Sequence, residues 1–428
     1  MPGNARELDV TVSYHSYSVG HVKLFLDLVL SATTGLRSTS RVMTVVKEFF
    51  KLPMSVPSWH SGRLWLMRVG YYKLTRAKEI ANDWVWIIDH SIQLGSEKCL
   101  VILGLRLCDL PASGQCLQHR HVDPIELLPV SKSNGTVVYE QLKETTKKTG
   151  IPRLIVSDHG SDLKAGINLF CNDYQRTAHV YDFKHKIACI LKSRLAKDDT
   201  WIKFTKFATQ TKKQLQQTSL AHLTPPKQRS KARYMNLDGL VKWGKNIQVI
   251  VEQPSQQQKK IKEKLGQVVE YKEELERWGE MLKITGVVEK HMHTQGIEKG
   301  GHIKLKTRLQ EQCPIIKTQE AREIMDELLE FANEQERQCN HGERFPASSE
   351  VIESVFGKQK YLEQEQAKNG FTGLLLGIGA MVSTTSSSVI KNALETVRTK
   401  DVVKWCKKNI GESVQARRRK AFSDVCRE

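Results

Sequence analysis

Two apolar stretches that each end in an aspartate decide the fold of this chain: WVWIID at residues 84–89 and LIVSD at residues 154–158. Both are short, continuous apolar runs, a pattern that predicts buried strands. Three further strands and two helices are predicted around them. The strands are KCLVILGLRL (98–107), IELLPVS (125–131) and TAHVYD (177–182), and the helices are TVVYEQLKETTKKTG (136–150) and SDLKAGINLFCNDY (161–174), the second capped by Ser161.

The order of these elements is three strands, a helix, a strand, a helix and a strand, which is typical of the ribonuclease H-like fold. In that fold the first and fourth strands are parallel neighbours. Adjacent strands lie about 4.8 Å apart, so Asp89 and Asp158, which end those two strands, are expected to face one site. The predicted fold class is therefore α/β, with a mixed five-stranded sheet of the ribonuclease H-like kind.

The composition favours a polyanionic partner. The chain has 428 residues, and its 66 Lys and Arg against 47 Asp and Glu give a net charge of +19. Such a field attracts nucleic acid, although basicity alone is equally typical of a solvated surface.

The cysteines favour a reducing compartment. None of the nine forms a Cys-x-x-Cys pair, which argues against a zinc ribbon and against a disulfide framework. No charged and apolar leader opens the chain, and its longest apolar stretch, GLLLGIGAMV at residues 373–382, is shorter than the about 20 residues of a membrane span. The sequence therefore predicts a soluble cytoplasmic protein without a membrane contact, in which this stretch is a buried helix.

The sequence predicts four regions. Residues 1–80 contain three short amphipathic helices, whose helix-turn-helix-like pattern predicts a DNA-binding region. Arg63 and Arg68 of the third helix are then candidates for groove or phosphate contacts, and a helical cap on the next domain is the alternative. Residues 81–195 form the first part of the ribonuclease H-like core. Residues 196–340 form a large all-helical insertion, and residues 341–428 complete the core and end in basic helices.

Three acids are the candidates for catalysis and for metal binding: Asp89, Asp158 and Glu353, the last in the helical stretch SSEVIESVFGKQK at residues 348–360. A charge that follows a buried strand is costly unless a metal or a partner compensates it. Carboxylate oxygens suit Mg²⁺ or Mn²⁺, and two such ions assist in-line displacement at phosphorus. Asp162 and Glu350 are close rivals, of which Asp162 is expected to begin a helix instead.

Three segments together resemble the catalytic blocks of bacterial DDE-type transposases: IIDHS with Asp89, IVSDHGSDL with Asp158, and the stretch around Glu353 with Lys360 seven positions later. The family's usual Asn after the glutamate is absent. Asp182 and His185 resemble the Asp-x-x-His signature of members that carry helical insertions. The resemblance implies metal-dependent DNA cleavage and strand transfer at three acids, with Lys360 and His185 as candidate contacts to DNA.

The same resemblance implies the partners of the chain. They are double-stranded DNA, namely the terminal inverted repeats of an insertion sequence and its target, and a second copy in a homodimer on DNA. A bacterial, nucleoid-associated location goes with that interpretation. Two alternatives stay open: a non-catalytic DNA-binding protein derived from a transposase, and another nuclease of the ribonuclease H-like kind.

Overall fold

The structure is a computed structural model that describes residues 8–94, 97–228, 234, 237–254, 256–364, 372–411 and 414–425. It contains two compact units. The first comprises Met1–Ala112, Cys116–Val180 and Ser349–Glu428, and the second comprises Ser113–Gln115 and Tyr181–Ser348.

In the described part of the amino-terminal segment, three helices lie between residues 19 and 75, within the region where the sequence predicts three. They are α1 (Val19–Leu30), α2 (Leu36–Phe50) and α3 (Trp59–Thr75). The hydroxyls of Ser18 and Ser58 cap α1 and α3 by accepting hydrogen bonds from backbone amides of the first turn. Half of α3 is buried, which marks it as a central helix of its unit.

A five-stranded mixed sheet follows, and it confirms the predicted fold class. Its strands are β1 (Trp84–Leu94), β2 (Glu97–Arg106), β3 (Asp123–Val130), β4 (Leu154–Ser157) and β5 (Ala178–Tyr181), with α4 (Gly135–Thr149) between β3 and β4 and α5 (Ser161–Asp173) between β4 and β5. The spatial order is β3-β2-β1-β4-β5. β1 is antiparallel to β2 and parallel to β4, which is the ribonuclease H-like arrangement.

Two local predictions are wrong. β1 does not end at Asp89 but continues to Leu94, because this second half still pairs with β2 in an antiparallel hairpin after its pairing with β4 has stopped. In addition, the N-cap of α5 is Gly160, and Ser161 is the first helical residue, without a side-chain cap.

One face of the sheet is covered by α4 and α5. Alternate residues of β1, Trp84, Trp86 and Ile88, pack there with Ile155 of β4. The helices contribute apolar side chains to the same cluster: Val138, Leu142, Leu163, Ile167 and Phe170. Because side chains alternate along a strand, residues 85, 87 and 89 of β1 lie on the opposite face.

The second unit is almost entirely helical. It contains α6 (Phe183–Leu195), α7 (Asp199–Leu215), α8 (Asp238–Glu252), α9 (Gln258–Leu265), α10 (Lys272–Gln295), α11 (Gly301–Gln312) and α12 (Gln319–Glu336), and the two-residue strands β6 (Ile297–Glu298) and β7 (Arg344–Phe345) pair with each other. Its core is aromatic: Trp201, Phe204, Trp243, Tyr271 and Trp278 are buried and in ring contact. The tryptophans of this segment are therefore core residues.

The carboxyl-terminal part returns to the first unit. It contains α13 (Glu350–Gln364), a 3₁₀ turn at Gly373–Leu376, α14 (Gly377–Met381), α15 (Ser387–Thr396), α16 (Thr399–Asn409) and α17 (Val414–Val425). The apolar stretch at residues 373–382 is buried against α3, which confirms the predicted buried helix.

Among the described helices, none is both long enough and apolar enough to cross a membrane. Within the same residues, no disulfide joins two cysteines.

Candidate active site at the end of the parallel strands

Asp89 and Asp158 are neighbours at the point where the parallel pairing of β1 and β4 ends. The last pair in register is Ile88 with Ser157, so the next residue of each chain segment is one of the two acids. Asp89 and Asp158 follow residues of the α4/α5 face, and both therefore belong to the opposite face. Two carboxylates at one level of adjacent strands lie about 5 Å apart at the backbone, which fits a shared cation.

Backbone amides orient both carboxylates. Asp89 Oδ1 accepts a hydrogen bond from the amide of His90 at 2.6 Å, and Asp158 Oδ1 accepts one from the amide of Gly160 at 3.1 Å. Both side chains are half-buried. A carboxylate fixed by the backbone makes a well-placed ligand.

The glutamate helix α13 lies against the strand that carries Asp89. It packs against β1, and none of its residues, all of which are described, belongs to the cluster under α4 and α5. Glu350 and Glu353 both lie in its first turn and are half-buried, beside the buried stripe that includes Ile352 and Phe356. The structure thus brings α13, whose first turn holds both glutamates, to the strand that carries Asp89.

Whether these residues suit a metal ion depends on how many potential ligand side chains lie close together. In the described part of the chain, no group of three or more His, Cys, Asp or Glu side chains lies close enough together to hold a metal ion. Mg²⁺ is commonly held by only one or two carboxylates, with water and substrate phosphates as its other ligands. Asp89 and Asp158 fit that requirement by donor type and by position, and Glu353 is not gathered with both of them.

Asp162 lies on the other side of the sheet. It sits in the first turn of α5, where it accepts a hydrogen bond from Lys98 Nζ at 2.8 Å and lies 3.6 Å from His90 Nδ1. Burial opposes its ionisation, yet hydrogen bonds from Lys98 and Ser133 and the charges of His90 and Lys98 outweigh burial and lower the pKa of Asp162 to about 2. Its place at the start of a helix agrees with the sequence-based expectation.

Two histidines beside the aspartates were not singled out from the sequence. His90 directly follows Asp89, and His179 of β5 lies 2.9 Å from Ser157 Oγ, with its ring 5.4 Å from that of His159. Burial, the largest cause, and the charges of His159 and Lys164 lower the pKa of His179 to about 4. A single histidine within a short strand leaves no periodic signal in the sequence. Only the order of the strands in the sheet shows that His179 lies beside the end of β4.

Asp182 and His185 form a helix cap in the second unit. The Asp182 side chain is 1 % exposed, and its Oδ1 accepts a hydrogen bond from the His185 amide at 2.8 Å. The Ser348 hydroxyl donates to the other oxygen at 3.3 Å, and His185 Nδ1 lies 3.4 Å from Oδ1. The Asp-x-x-His spacing is thus also the spacing of an N-cap and its third helical residue.

The basic residues singled out from the sequence differ in exposure. Arg68 is 6 % exposed and donates to the Leu394 carbonyl at 2.7 Å, so its proposed groove contact is wrong: this guanidinium is part of the protein interior. Arg63 is half-buried, and burial lowers its pKa. Lys360 is exposed on α13, two turns beyond Glu353, while its neighbour Lys358 donates to the Leu30 carbonyl at 3.2 Å.

The sheet order and the neighbouring aspartates define the chain as an α/β protein with a ribonuclease H-like core. No family model and no curated protein matches it. Among solved structures, it is similar to a Drosophila P element transposase strand transfer complex, with a TM-score of 0.41 and 11% sequence identity over 92% of this chain and 95% of that one. At this level the similarity says nothing about function.

Proposed function

We propose that this chain is a transposase that cleaves and joins DNA phosphodiesters with a divalent metal, Mg²⁺ or Mn²⁺. The observation that supports the proposal best is the position of Asp89 beside Asp158, on one face and at one level of two parallel strands. The resemblance of the segments around Asp89, Asp158 and Glu353 to transposase blocks supports the same activity, and the net charge of +19 suits a DNA substrate.

The residues of the chain have distinct tasks in this proposal. Asp89 and Asp158 would hold one or two Mg²⁺ ions, with Glu353 as a further ligand once DNA is bound, and Glu350 as the rival for that place. When bound, the metal ions lower the pKa of a water or 3′-hydroxyl nucleophile and stabilise the leaving oxygen of an in-line displacement. The His90 and Gly160 amides keep the two aspartates in place, and Lys360, which is exposed, would contact a backbone phosphate.

The substrates follow from the transposase proposal. They are the terminal inverted repeats of a mobile element and a target duplex, held by two copies of the chain so that both ends are processed together. An insertion sequence in a bacterial nucleoid is the setting that the sequence resemblance favours.

The test is cleavage of a supercoiled plasmid that carries the ends of the element. We expect the wild-type chain to nick or linearise it with Mg²⁺ or Mn²⁺, and not with EDTA. The variants Asp89→Asn, Asp158→Asn and Glu353→Gln should bind the same DNA and leave it intact. Asp109→Asn, an exposed aspartate of the same unit, is the matched control and should cut normally. Cutting by the Asp158→Asn variant at the wild-type rate would refute the assignment.

A second candidate function is DNA binding without catalysis. It is favoured by the net charge of +19, which attracts a polyanion whether or not the chain cleaves it. The same experiment separates the two candidates, because a chain that binds the plasmid with Mg²⁺ present and never cuts it would support the binding-only function.

A further inference from the structure

The last two helices of the first unit carry a group of exposed basic side chains. We call the set the C-terminal basic surface and define it by Lys400, Lys404, Lys407 and Lys408 of α16 and by Arg418 and Arg419 of α17, all of which are exposed. None of the six is among the contacts proposed above, and the surface has a geometry of its own.

The four lysines of α16 form a stripe on one side of their helix. At 100° per residue they fall within an arc of about 100°, and at 1.5 Å per residue they extend over about 12 Å. Val402 on the opposite side is buried, and α16 packs against α3 and β3. Among the described residues, none of these lysines makes an ion pair with a carboxylate. The stripe is therefore held on a packed helix, and no carboxylate of the described residues compensates its charges.

The arginines of α17 lie on an unburied helix. Residues 417–423 are exposed throughout, including Phe422 at 68 %. A helix of only 12 residues with successive positive charges is marginal in water, because it gains little from packing and its charges repel. A polyanion bound along it would remove that repulsion, which is why charge complementarity identifies the kind of partner.

One ion pair fixes where α17 lies relative to the aspartates. Arg417 donates to Glu97 Oε1 at 2.8 Å, and Glu97 begins β2. Asp89 pairs with Val101 of the same strand, four residues further, which is a distance of about 13 Å along β2. Arg418, Arg419 and Phe422 are turned 100° or more away from Arg417 around the helix, so they are available to a partner.

We propose that the C-terminal basic surface binds the phosphate backbone of the DNA duplex that flanks the cleavage position, without reading its bases. The lysine stripe is about 12 Å long, and about 13 Å along β2 separate Glu97 from the residue that pairs with Asp89. Each of these lengths corresponds to about four phosphates of one DNA strand, at 3.4 Å per phosphate. Lysines and arginines without partners hold a duplex through counterion release, which is independent of sequence. The proposal rests on the proposed function for its choice of DNA as the polyanion.

The test measures DNA binding without cleavage, in the full-length chain carrying Asp158→Asn and in EDTA. The affinity for a fluorescein-labelled duplex is followed by anisotropy over a range of NaCl concentrations. We expect the quadruple variant K400Q/K404Q/K407Q/K408Q to reduce the magnitude of the slope of log K against log salt by about 3.6, and R418Q/R419Q to reduce it by about 1.8, at about 0.9 per phosphate contact. Scrambling the duplex sequence should leave both losses unchanged.

The matched control is K259Q/K260Q/K262Q/K264Q on α9, which removes the same charge from four exposed lysines. An equal change of slope in the control and in the α16 variant would overturn the proposal, because only net charge would then matter. Wild-type slopes in both surface variants would overturn it as well. So would intact DNA binding with loss of binding to phosphatidylserine vesicles, which would make the surface a membrane contact.

The two experiments distinguish the catalytic function of the chain from DNA binding by the C-terminal basic surface. A chain that never cuts, yet loses its salt dependence when the surface is changed, would refute the catalytic function and support the basic surface. If the chain cuts with Mg²⁺ and its surface variants bind DNA like the wild type, the catalytic function is supported and the DNA contact of the C-terminal basic surface is refuted. Circular dichroism of each variant, with an unchanged unfolding transition, assigns a loss of binding to the surface itself.

Discussion

Asp89 and Asp158 occupy the two positions that follow the last parallel pair of the sheet, Ile88 with Ser157, and they lie on the face opposite α4 and α5. This relationship makes metal binding measurable without any DNA. Mn²⁺ binding to the chain is observable by electron paramagnetic resonance. We expect Asp89→Asn and Asp158→Asn each to weaken it by at least about tenfold, because the loss of even an indirect ligand partner has an effect of that size.

The control for metal binding is Asp162→Asn. Asp162 lies on the α5 side of the sheet and is held by Lys98. Its substitution should therefore leave Mn²⁺ affinity unchanged. If all three substitutions lowered the Mn²⁺ affinity equally, the metal would respond only to the net charge of the protein. Asp89 and Asp158 would then not be its specific ligands.

Glu353 and Glu350 are separated by a second prediction. Both lie in the first turn of α13, and the transposase-like spacing to Lys360 favours Glu353. We expect Glu353→Gln to abolish plasmid cleavage and Glu350→Gln to retain most of it, measured with equal DNA binding by both variants. If Glu350→Gln abolished cleavage and Glu353→Gln retained it, the third catalytic acid would be Glu350, in the same turn of α13.

A close backbone contact between α3 and α14 leads to a third prediction. A Cβ atom at Gly70 would overlap the Leu376 carbonyl, and one at Gly379 would lie 2.6 Å from the Gly70 carbonyl oxygen. Overpacking against backbone has no easy relief, so Gly70→Ala should lower the free energy of unfolding by about 3 kcal/mol. Urea denaturation of the full chain measures the loss.

Gly357 provides the control for that contact. It is an exposed helical glycine of α13 with nothing near its missing Cβ. Alanine there should stabilise the helix by up to about 1 kcal/mol, since glycine is the poorer helix former. A loss of stability at Gly357→Ala like that at Gly70→Ala would mean that the contact is not the cause.

The sheet was predictable from the sequence because its strands are buried on both sides and appear as nearly continuous apolar runs. The end of β1 was not, since the polar residues beyond Asp89 belong to a hairpin that pairs on one side only. The pattern placed Asp89 and Asp158 together because strand order and register follow from the fold class. It could not show that Asp162 lies behind the sheet.

The predicted groove contact of Arg68 in α3 is wrong for a different reason. A helical pattern shows that one side of a helix is apolar and does not reveal what covers the rest. In this chain the residues that cover α3 come from about 300 positions later, including the carbonyl of Leu394 that binds Arg68. Such long-range contacts leave no mark in the local pattern. The resemblance of Asp182 and His185 to the transposase signature stays a prediction, since helix capping uses the same spacing.

A fourth prediction concerns the ion pair between Asp162 and Lys98. The two side chains are 12% and 28% exposed, and the folded state lowers the pKa of Asp162 from 3.8 to about 2. The pair therefore contributes stability above about pH 4 and loses it as the pH falls towards 2. A double-mutant cycle with Asp162→Asn and Lys98→Met should give a coupling of about 1 kcal/mol at neutral pH, reduced for solvent screening. Coupling that persists at pH 2 would contradict an electrostatic origin.

His179 gives the fifth prediction, which applies to a different pH range. Burial lowers its pKa from 6.5 to about 4, so the unfolded chain takes up a proton between these values and the folded chain does not. Stability should consequently fall as the pH decreases from 6.5 to 4, by about 2 to 3 kcal/mol from this group. His179→Gln should flatten that part of the curve, measured by urea unfolding at several pH values. His60→Gln, at an exposed position of the same unit, should leave the curve as it is, and a flattening by both substitutions would remove His179 as the cause.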